Sequence, residues 1–304
     1  MSVCTLAAPP YAFEMLKEII RTLVPRGMWT RLRMMRMRHM LASYKRRRVR
    51  HCYGGYELDV ELVDPMSEGW YDHDYPELSE ITLLKGHGLR PGATVFDIGA
   101  HQCVVAMMLS KTVGPAGRVV ALEANADNCA AGEQNRKLNG IANLEIVHAA
   151  GAARSGMLVF NRGTNGQVDD GSGEWGQVQV KSYSVDDLAT QFGVPDVLFI
   201  DVEGFECELL RGARDTLLTR PDCFVEVHVN AGLEKFGGSV SQVLGLFPAG
   251  YEFFMAPPDQ PFLPLDKESE LLRDRFFLVA IAPRKSGAPQ GAVSKALSGQ
   301  EAGE

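Results

Sequence analysis

Val95-Phe96-Asp97-Ile98-Gly99-Ala100-His101-Gln102-Cys103 decides the fold. A short apolar run from Thr94 ends in an acid, a glycine follows at once, and a helical stretch opens at Val104. In a doubly wound sheet, nucleotide-like ligands sit at the carboxyl end of such a strand. Gly99 permits a tight turn and close approach of backbone to ligand. Amides at the helix start can hold an anionic group. Outward from this stretch the pattern repeats. Apolar Arg118–Leu122 precedes helical Asn128–Leu138, and Leu144–Val147 reads as the next strand. Strands and helices alternating at this spacing predict an α/β chain with a parallel sheet. Further strands are expected at Val197–Ile200, Cys223–Val229, Tyr251–Met255 and Phe276–Ile281, with helices at Cys207–Ala213 and Ser239–Leu246.

Three more segments carry chemistry. Glu123 closes the second strand, twenty residues beyond Cys103, with Ala124 after it. An acid there is placed to accept hydrogen bonds from both ribose hydroxyls of an adenosine-type ligand. Phe199-Ile200-Asp201-Val202-Glu203-Gly204-Phe205-Glu206 delivers two carboxylates within three residues, then a glycine and a helix. Phe224-Val225-Glu226-Val227-His228 sets Glu226 and His228 on one face of a strand, because strand side chains alternate.

These segments together resemble the FkbM family of S-adenosylmethionine-dependent methyltransferases. The resemblance rests on FDIGAH, ALEAN, the helix end bearing Asn135 and Asn139, IDVEGFE followed by LLRGA, and VEVH, over about residues 93–230. It implies the class I methyltransferase (Rossmann-like) fold, a seven-stranded, mostly parallel sheet with helices on both faces and a final antiparallel strand. It also implies S-adenosyl-L-methionine as cofactor and methylation of a hydroxyl on a sugar, glycolipid or other natural product. Asp97, Gly99, Ala100, His101, Glu123, Ala124 and Asp201 are the expected cofactor contacts. The chain departs from the family at His101, where asparagine is usual, at Cys103, where glycine is usual, and at Phe199, where lysine is common. Cys103 is expected to tighten the cofactor loop, and Phe199 removes a cation.

Methyl transfer from a sulfonium is an in-line displacement, so the acceptor oxygen must be aligned and relieved of its proton. His228 titrates in the useful range and is expected to act as base, oriented by Glu226. Asp201 and Glu203 complete the expected catalytic set by holding the methionyl end or the acceptor's hydroxyls. Asp201, Glu226 and His228 have donors that suit a divalent ion, but their spacing requires none, and no metal is expected. A nicotinamide oxidoreductase would need GxGxxG, of which DIGAHQC keeps one glycine. A catalytically inactive S-adenosylmethionine-binding protein of the same fold is the alternative reading.

Composition bounds the rest. The 304 residues are 45% hydrophobic and 23% charged, which excludes wholesale disorder. Six cysteines without CxxC spacing, and no basic segment ahead of an apolar block, read as a reduced, cytoplasmic protein. Twelve of the 31 Lys and Arg residues, but two of the 38 acids, lie in residues 1–50, so a basic head of +10 precedes a body of −17. The acidic body argues against nucleic acid as a partner. Tyr11–Val24 and Met28–Arg50 read as helices, and residues 11–50 are expected to pack against the acidic body and close the cofactor cleft, the alternative being weak contact with an anionic membrane surface. Tyr56–Val63 alternates as a strand, and Trp70–Glu80 reads as an aromatic, acidic loop over the acceptor, leading into a helix at Leu78–Lys85. The expected partition is a helical extension at 1–55, a methyltransferase domain at 56–283 and a disordered tail at 284–304. The acceptor and the oligomeric state are not legible.

Overall fold

The computed structural model describes residues 26–161, 167–169, 177–258, 260–266 and 273–283. The helix expected at Tyr11–Val24 and the tail from Arg284 lie outside them. The chain divides into two units, Met1–Lys45 and Arg46–Glu304. The described part of the first is helix α1 (Arg26–Ser43), whose exposed side chains include Met28, Met35 and Met40. Among the described residues no helix is long and apolar enough to cross a membrane.

The second unit opens with a hairpin, β1 (Arg47–Tyr53) against β2 (Tyr56–Leu62), antiparallel. Arg47–Arg50 therefore belong to a strand, not to the helix expected through residue 50. Locally KRRRVR has no period that excludes a helix. The strand is imposed by its partner, as β-propensity is largely tertiary context. Arg47 pairs with Glu68 at 2.7 Å and with Asp72, and Arg50 lies 3.5 Å from both Glu57 and Asp59. Helix α2 (Pro65–Tyr71) replaces part of the expected aromatic loop. Asp64 accepts from the Ser67 amide, the Ser67 hydroxyl answers the Asp64 amide, and Pro65 fills the first turn. Helix α3 spans Ser79–Lys85.

The sheet follows: β3 (Thr94–Ile98), α4 (Val104–Val113), β4 (Arg118–Glu123), α5 (Ala126–Leu138) and β5 (Leu144–His148). A side sheet comes next, with β6 (Ala150–Gly151), β7 (Gly156–Asn161) and β8 (Gln177–Tyr183) in the order 6-8-7. Then come α6 (Val185–Phe192), β9 (Val197–Ile200), α7 (Glu206–Arg211), α8 (Arg214–Leu218), β10 (Asp222–Val227), α9 (Val240–Leu246), β11 (Glu252–Ala256), β12 (Leu263–Pro264) and β13 (Phe276–Ile281). The main sheet runs 12-11-13-10-9-3-4-5. It has eight strands rather than seven, because two-residue β12 adds to the edge of β11. β13 is antiparallel to both its neighbours, β10 and β11, as a class I methyltransferase sheet requires.

The strands are buried on both faces, so they read as continuous apolar runs. Phe96, Ile98, Val120, Leu122, Leu198, Ile200, Val225 and Val227 point to one face and form the main core with Leu188, Leu209, Leu217 and Val243 from α6–α9. By the two-residue period Asp97, Phe199 and Glu226 point to the other. The order of connection reverses between β3 and β9, and the crevice at their carboxyl ends is the switch point where such sheets bind ligands.

A two-stranded hairpin is marginal alone. Here α5 secures it. Asn135 accepts from the Glu61 amide (2.8 Å) and donates to the Gln102 carbonyl (3.1 Å). Asn139 accepts from the Asp59 amide (2.9 Å) and donates to the Asp59 carbonyl (2.8 Å). One helical turn separates the asparagines, and two residues separate the strand positions they meet, so two side-chain amides stand in for a neighbouring strand. Asn135→Ala strands buried backbone groups and should cost ~2 kcal/mol in urea unfolding. A loss below ~0.5 kcal/mol would show that water replaces the amide.

Candidate active site

The turn after β3 is built on unusual backbone. Gly99 (φ +94°), His101 (φ 47°) and Cys103 (φ 62°) are left-handed. A Cβ on Gly99 would lie 1.6 Å from the Asp201 carbonyl oxygen. Only glycine fits between the ends of β3 and β9. His101 sits where asparagine is usual, and both tolerate this conformation better than most residues.

Gly99 and Ala100 both donate to the Leu122 carbonyl at 2.9 Å, and His101 donates to Glu123 Oε2 at 2.7 Å. These three amides are thus satisfied within the protein. Glu123 is a clamp: its Oε1 accepts from the Asn125 amide at 2.7 Å. The Ala124 amide and the Asn128 side chain also donate to this carboxylate, which still faces the cavity.

That cavity, about 390 Å³, lies within the range of small-molecule sites. Asp97, Gly99, Ala100, His101, Glu123 and Ala124 line its β3–β4 end, and Asp201, Glu203, Glu226 and Arg275 line the other. All the expected cofactor contacts therefore share one space. Burial, and then the neighbouring Glu123 charge, push the Asp97 carboxyl up to about 7. Burial pushes Glu123 up to about 7 against the hydrogen bonds it accepts. The Asp97 Oδ2 atom is buried without a hydrogen-bond partner. An orphaned acid and a cavity of this size fit a cationic adenosyl ligand.

Cys103 does not line the cavity. Its Sγ lies where a Cβ on Gly132 of α5 would be, at 2.5 Å, so the thiol fills space under that helix. The expected tightening of the cofactor loop is not seen. His101 is buried, which lowers it to about 4, and its Nδ1 lies 2.9 Å from the Tyr71 hydroxyl. Trp70 packs edge-on at 5.0 Å from its ring. Trp70 and Tyr71 line the cavity, whereas Tyr75 packs on Tyr53 and His73 on Tyr75. Phe199 forms a wall, stacked on Phe224 at 4.2 Å. A cation reaches the cavity from just before β13, where Arg275 pairs with Glu226 at 3.1 Å.

His228 stands behind the carboxylates, 1% exposed. Its Nδ1 lies 2.7 Å from Oε1 of fully buried Glu206, which also accepts from the Gly204 amide at 2.8 Å. A carboxylate only accepts, so Nδ1 donates. The other nitrogen, Nε2, faces Glu203 and Glu226 at 3.5 Å and Asp201 at 3.7 Å. Burial lowers His228, but the Glu206 hydrogen bond and the surrounding acids outweigh it and push it up to about 9. Burial and the Glu226 charge raise Asp201 well above the carboxylate range. Burial raises Glu226, against His228 and Arg275. The ring does not line the cavity, so the expected base stands behind the carboxylates rather than against an acceptor. Glu203 is itself left-handed (φ 52°), a strain that persists where the surroundings over-determine it.

Sequence reasoning missed Glu206 and Arg275. Glu206 was visible as the last residue of IDVEGFE, but its partner lies 22 positions on. Nothing local marks Arg275.

The chain matches the Methyltransferase FkbM domain model over residues 97–253. A search of curated proteins finds no match. Among solved structures, the FkbM methyltransferase of Methylobacillus flagellatus KT is 15% identical at a TM-score of 0.41, over 62% of this chain and 43% of that one. A SAM-dependent methyltransferase of Aquifex aeolicus is 16% identical at 0.40, over 72% and 94%. A SAM-dependent O-methyltransferase of Thermotoga maritima is 13% identical at 0.41, over 76% of each. These likenesses are too distant to carry an argument, and the family model, which spans half of the chain, carries it. The chain belongs to the FkbM methyltransferase family, with S-adenosyl-L-methionine as its cofactor.

Proposed function

We propose that the chain methylates a hydroxyl oxygen of a sugar, glycolipid or other small natural product. The observation that carries this reading is the cluster of Asp201, Glu203 and Glu226 in the same cavity as Asp97 and Glu123, beside the aromatic walls of Trp70, Tyr71 and Phe199. Carboxylates suit hydroxyl donors, and flat aromatic faces suit sugar rings. When bound, S-adenosyl-L-methionine supplies an electrophilic methyl: the acceptor oxygen forms the new O–C bond as the S–C bond breaks, leaving the thioether. Asp97 and Glu123 hold the cationic and ribose parts. Gly99, Ala100, His101 and Ala124 shape the seat. Glu226 takes the acceptor proton, oriented by Arg275. Asp201 and Glu203 accept hydrogen bonds from the acceptor, with His228 behind them. The inactive alternative loses one of its two motives, since Cys103 lies outside the cavity.

A weak contact of residues 11–50 with an anionic membrane surface belongs to the same proposal, as does a cytoplasmic location. Exposed Met28, Arg31 and Met35 share one stripe of α1, a pattern that favours it. Liposome flotation that is lost in Arg31→Glu/Met35→Glu supports the contact, and equal flotation of both forms sinks it.

Purified protein incubated with cofactor and fractionated cell extracts should yield S-adenosylhomocysteine and a product heavier by one methylene. Absence of both across polar and lipid fractions removes the proposal. Glu226→Gln should slow turnover on the order of 10²–10⁴-fold while leaving cofactor affinity within about threefold. Near-native turnover would strip Glu226 of its role.

Glu123→Gln should weaken S-adenosylmethionine binding ~10–100-fold, the scale of a charged hydrogen bond. Unchanged affinity by calorimetry would end the ribose assignment. Because Asp97 and Glu123 ionise at about 7, affinity for the cationic cofactor should tighten from about pH 6 to about pH 8, with proton release. The free chain should do the reverse. Their raised values contribute stability at low pH that is lost from about pH 4 up to about pH 7, so its melting temperature should fall over that range and level off above it. A flat affinity profile would show that both acids keep their charge state. Cys103→Gly should leave cofactor affinity unchanged, and a tenfold gain would return the residue to the cofactor loop.

A further inference from the structure

We infer that Asp201, Glu203 and His228 form a binding site for one divalent first-row metal ion. The three offer one donor atom each, and these atoms all lie within 4.8 Å of one another. His228 Nε2 is the independent sign. It is buried, makes no hydrogen bond, and points at Asp201 Oδ1 and Glu203 Oε2. Asp201 Oδ1 is likewise buried without a partner.

The distances argue for an ion between the groups rather than a contact. Separations of 3.7 and 3.5 Å exceed a hydrogen bond. Two ligands bound to one ion at ~2.1 Å and disposed tetrahedrally stand ~3.4 Å apart. An octahedral ion would draw neighbouring ligands to ~3.0 Å. The two sides that meet His228 are thus close to ligand separations on Zn²⁺ or Mn²⁺, and the third, within 4.8 Å, closes as the two carboxylates turn onto the ion. Imidazole with carboxylate oxygens is also a donor set that such ions accept.

The surroundings are those of a ligating histidine. Glu206 accepts from Nδ1–H and so holds the proton on that nitrogen, leaving Nε2 as the ligating atom, the carboxylate–histidine arrangement that fixes a metal-binding tautomer. Glu226 and Glu206 add two further acids against one guanidinium, Arg275. A divalent charge offsets that excess. Left-handed Glu203 brings its carboxylate to the site across a turn where a Cβ on Gly204 would meet Gly232 at 2.4 Å. Asp201 and Glu203 line the cavity, so the ion has an open side toward it. An acceptor hydroxyl ligated there would lose its proton more readily. That role rests on the proposed methyl transfer, whereas the ion's binding does not.

The test uses the full chain, freed of metal by chelator and titrated with Mn²⁺, reading free Mn²⁺ by electron paramagnetic resonance. One ion bound per chain is expected, with affinity at least tenfold weaker in Glu203→Gln and in His228→Asn, and 10–100-fold weaker in Glu206→Gln. No binding up to about 1 mM Mn²⁺ by a folded chain overturns the site. Unchanged binding in the folded variants overturns it as well. If His228→Asn does not fold, Glu203→Gln, on the cavity wall, makes the comparison. S-adenosylhomocysteine binding by the metal-free chain separates the two readings. A chain that binds the thioether and no Mn²⁺ loses only the metal site. A chain that binds Mn²⁺ and no thioether loses only the proposed function.

Discussion

The approach of Gly99 to the Asp201 carbonyl is the constraint on which the rest depends. Asp201 donates its own amide to the Ile98 carbonyl at 2.9 Å, so β3 and β9 stay joined one residue beyond the sheet. A side chain at position 99 would force them apart. Because they do not part, the acid pair at the end of β3 and β4 and the acid cluster at the end of β9 and β10 open into one cavity. Two groups of acids thus share a single cavity.

The sequence made this chamber legible because its parts sit at strand ends. FDIG, ALE, IDVEG and VEVH each set an acid where a buried apolar run stops, and the spacing ordered them along a parallel sheet. What stayed hidden is what distance in the chain conceals. Glu206 gains its meaning only from His228, and Arg275 arrives from a strand that no motif announces. His228 was read as a base because a lone imidazole titrates near neutrality. Its burial behind three carboxylates reverses that reading. Cys103 was judged by the cofactor loop it interrupts, whereas its thiol belongs to the underside of α5.

Local errors have the same origin. KRRRVR has neither a two-residue nor a helical period, and only pairing with β2 makes it a strand. Helix α2, by contrast, was written plainly in Asp64-Pro65-Met66-Ser67, a capping box overshadowed by the aromatic residues after it. In the side sheet, β6 is a two-residue strand, below the reach of any window of residues. The carboxylate cluster also explains where the acidity of the body is spent. Gathering Asp201, Glu203, Glu206 and Glu226 around one imidazole is poor design for stability alone, and strain at Glu203 adds to it. Such conflicts between local rules and the final structure mark functional ground.

The side-chain ladder of Asn135 and Asn139 has a consequence for how the protein is made. The backbone it pairs, at Asp59 and Glu61, precedes it by 80 and 74 residues. A ribosome delivers chain from the N-terminus, so the hairpin emerges with one open edge and waits for α5 to be synthesised. During that interval the strand is a template for any other extended chain. The charges along YELDVEL then act as guards of the nascent edge, a duty that ends when the two asparagines arrive.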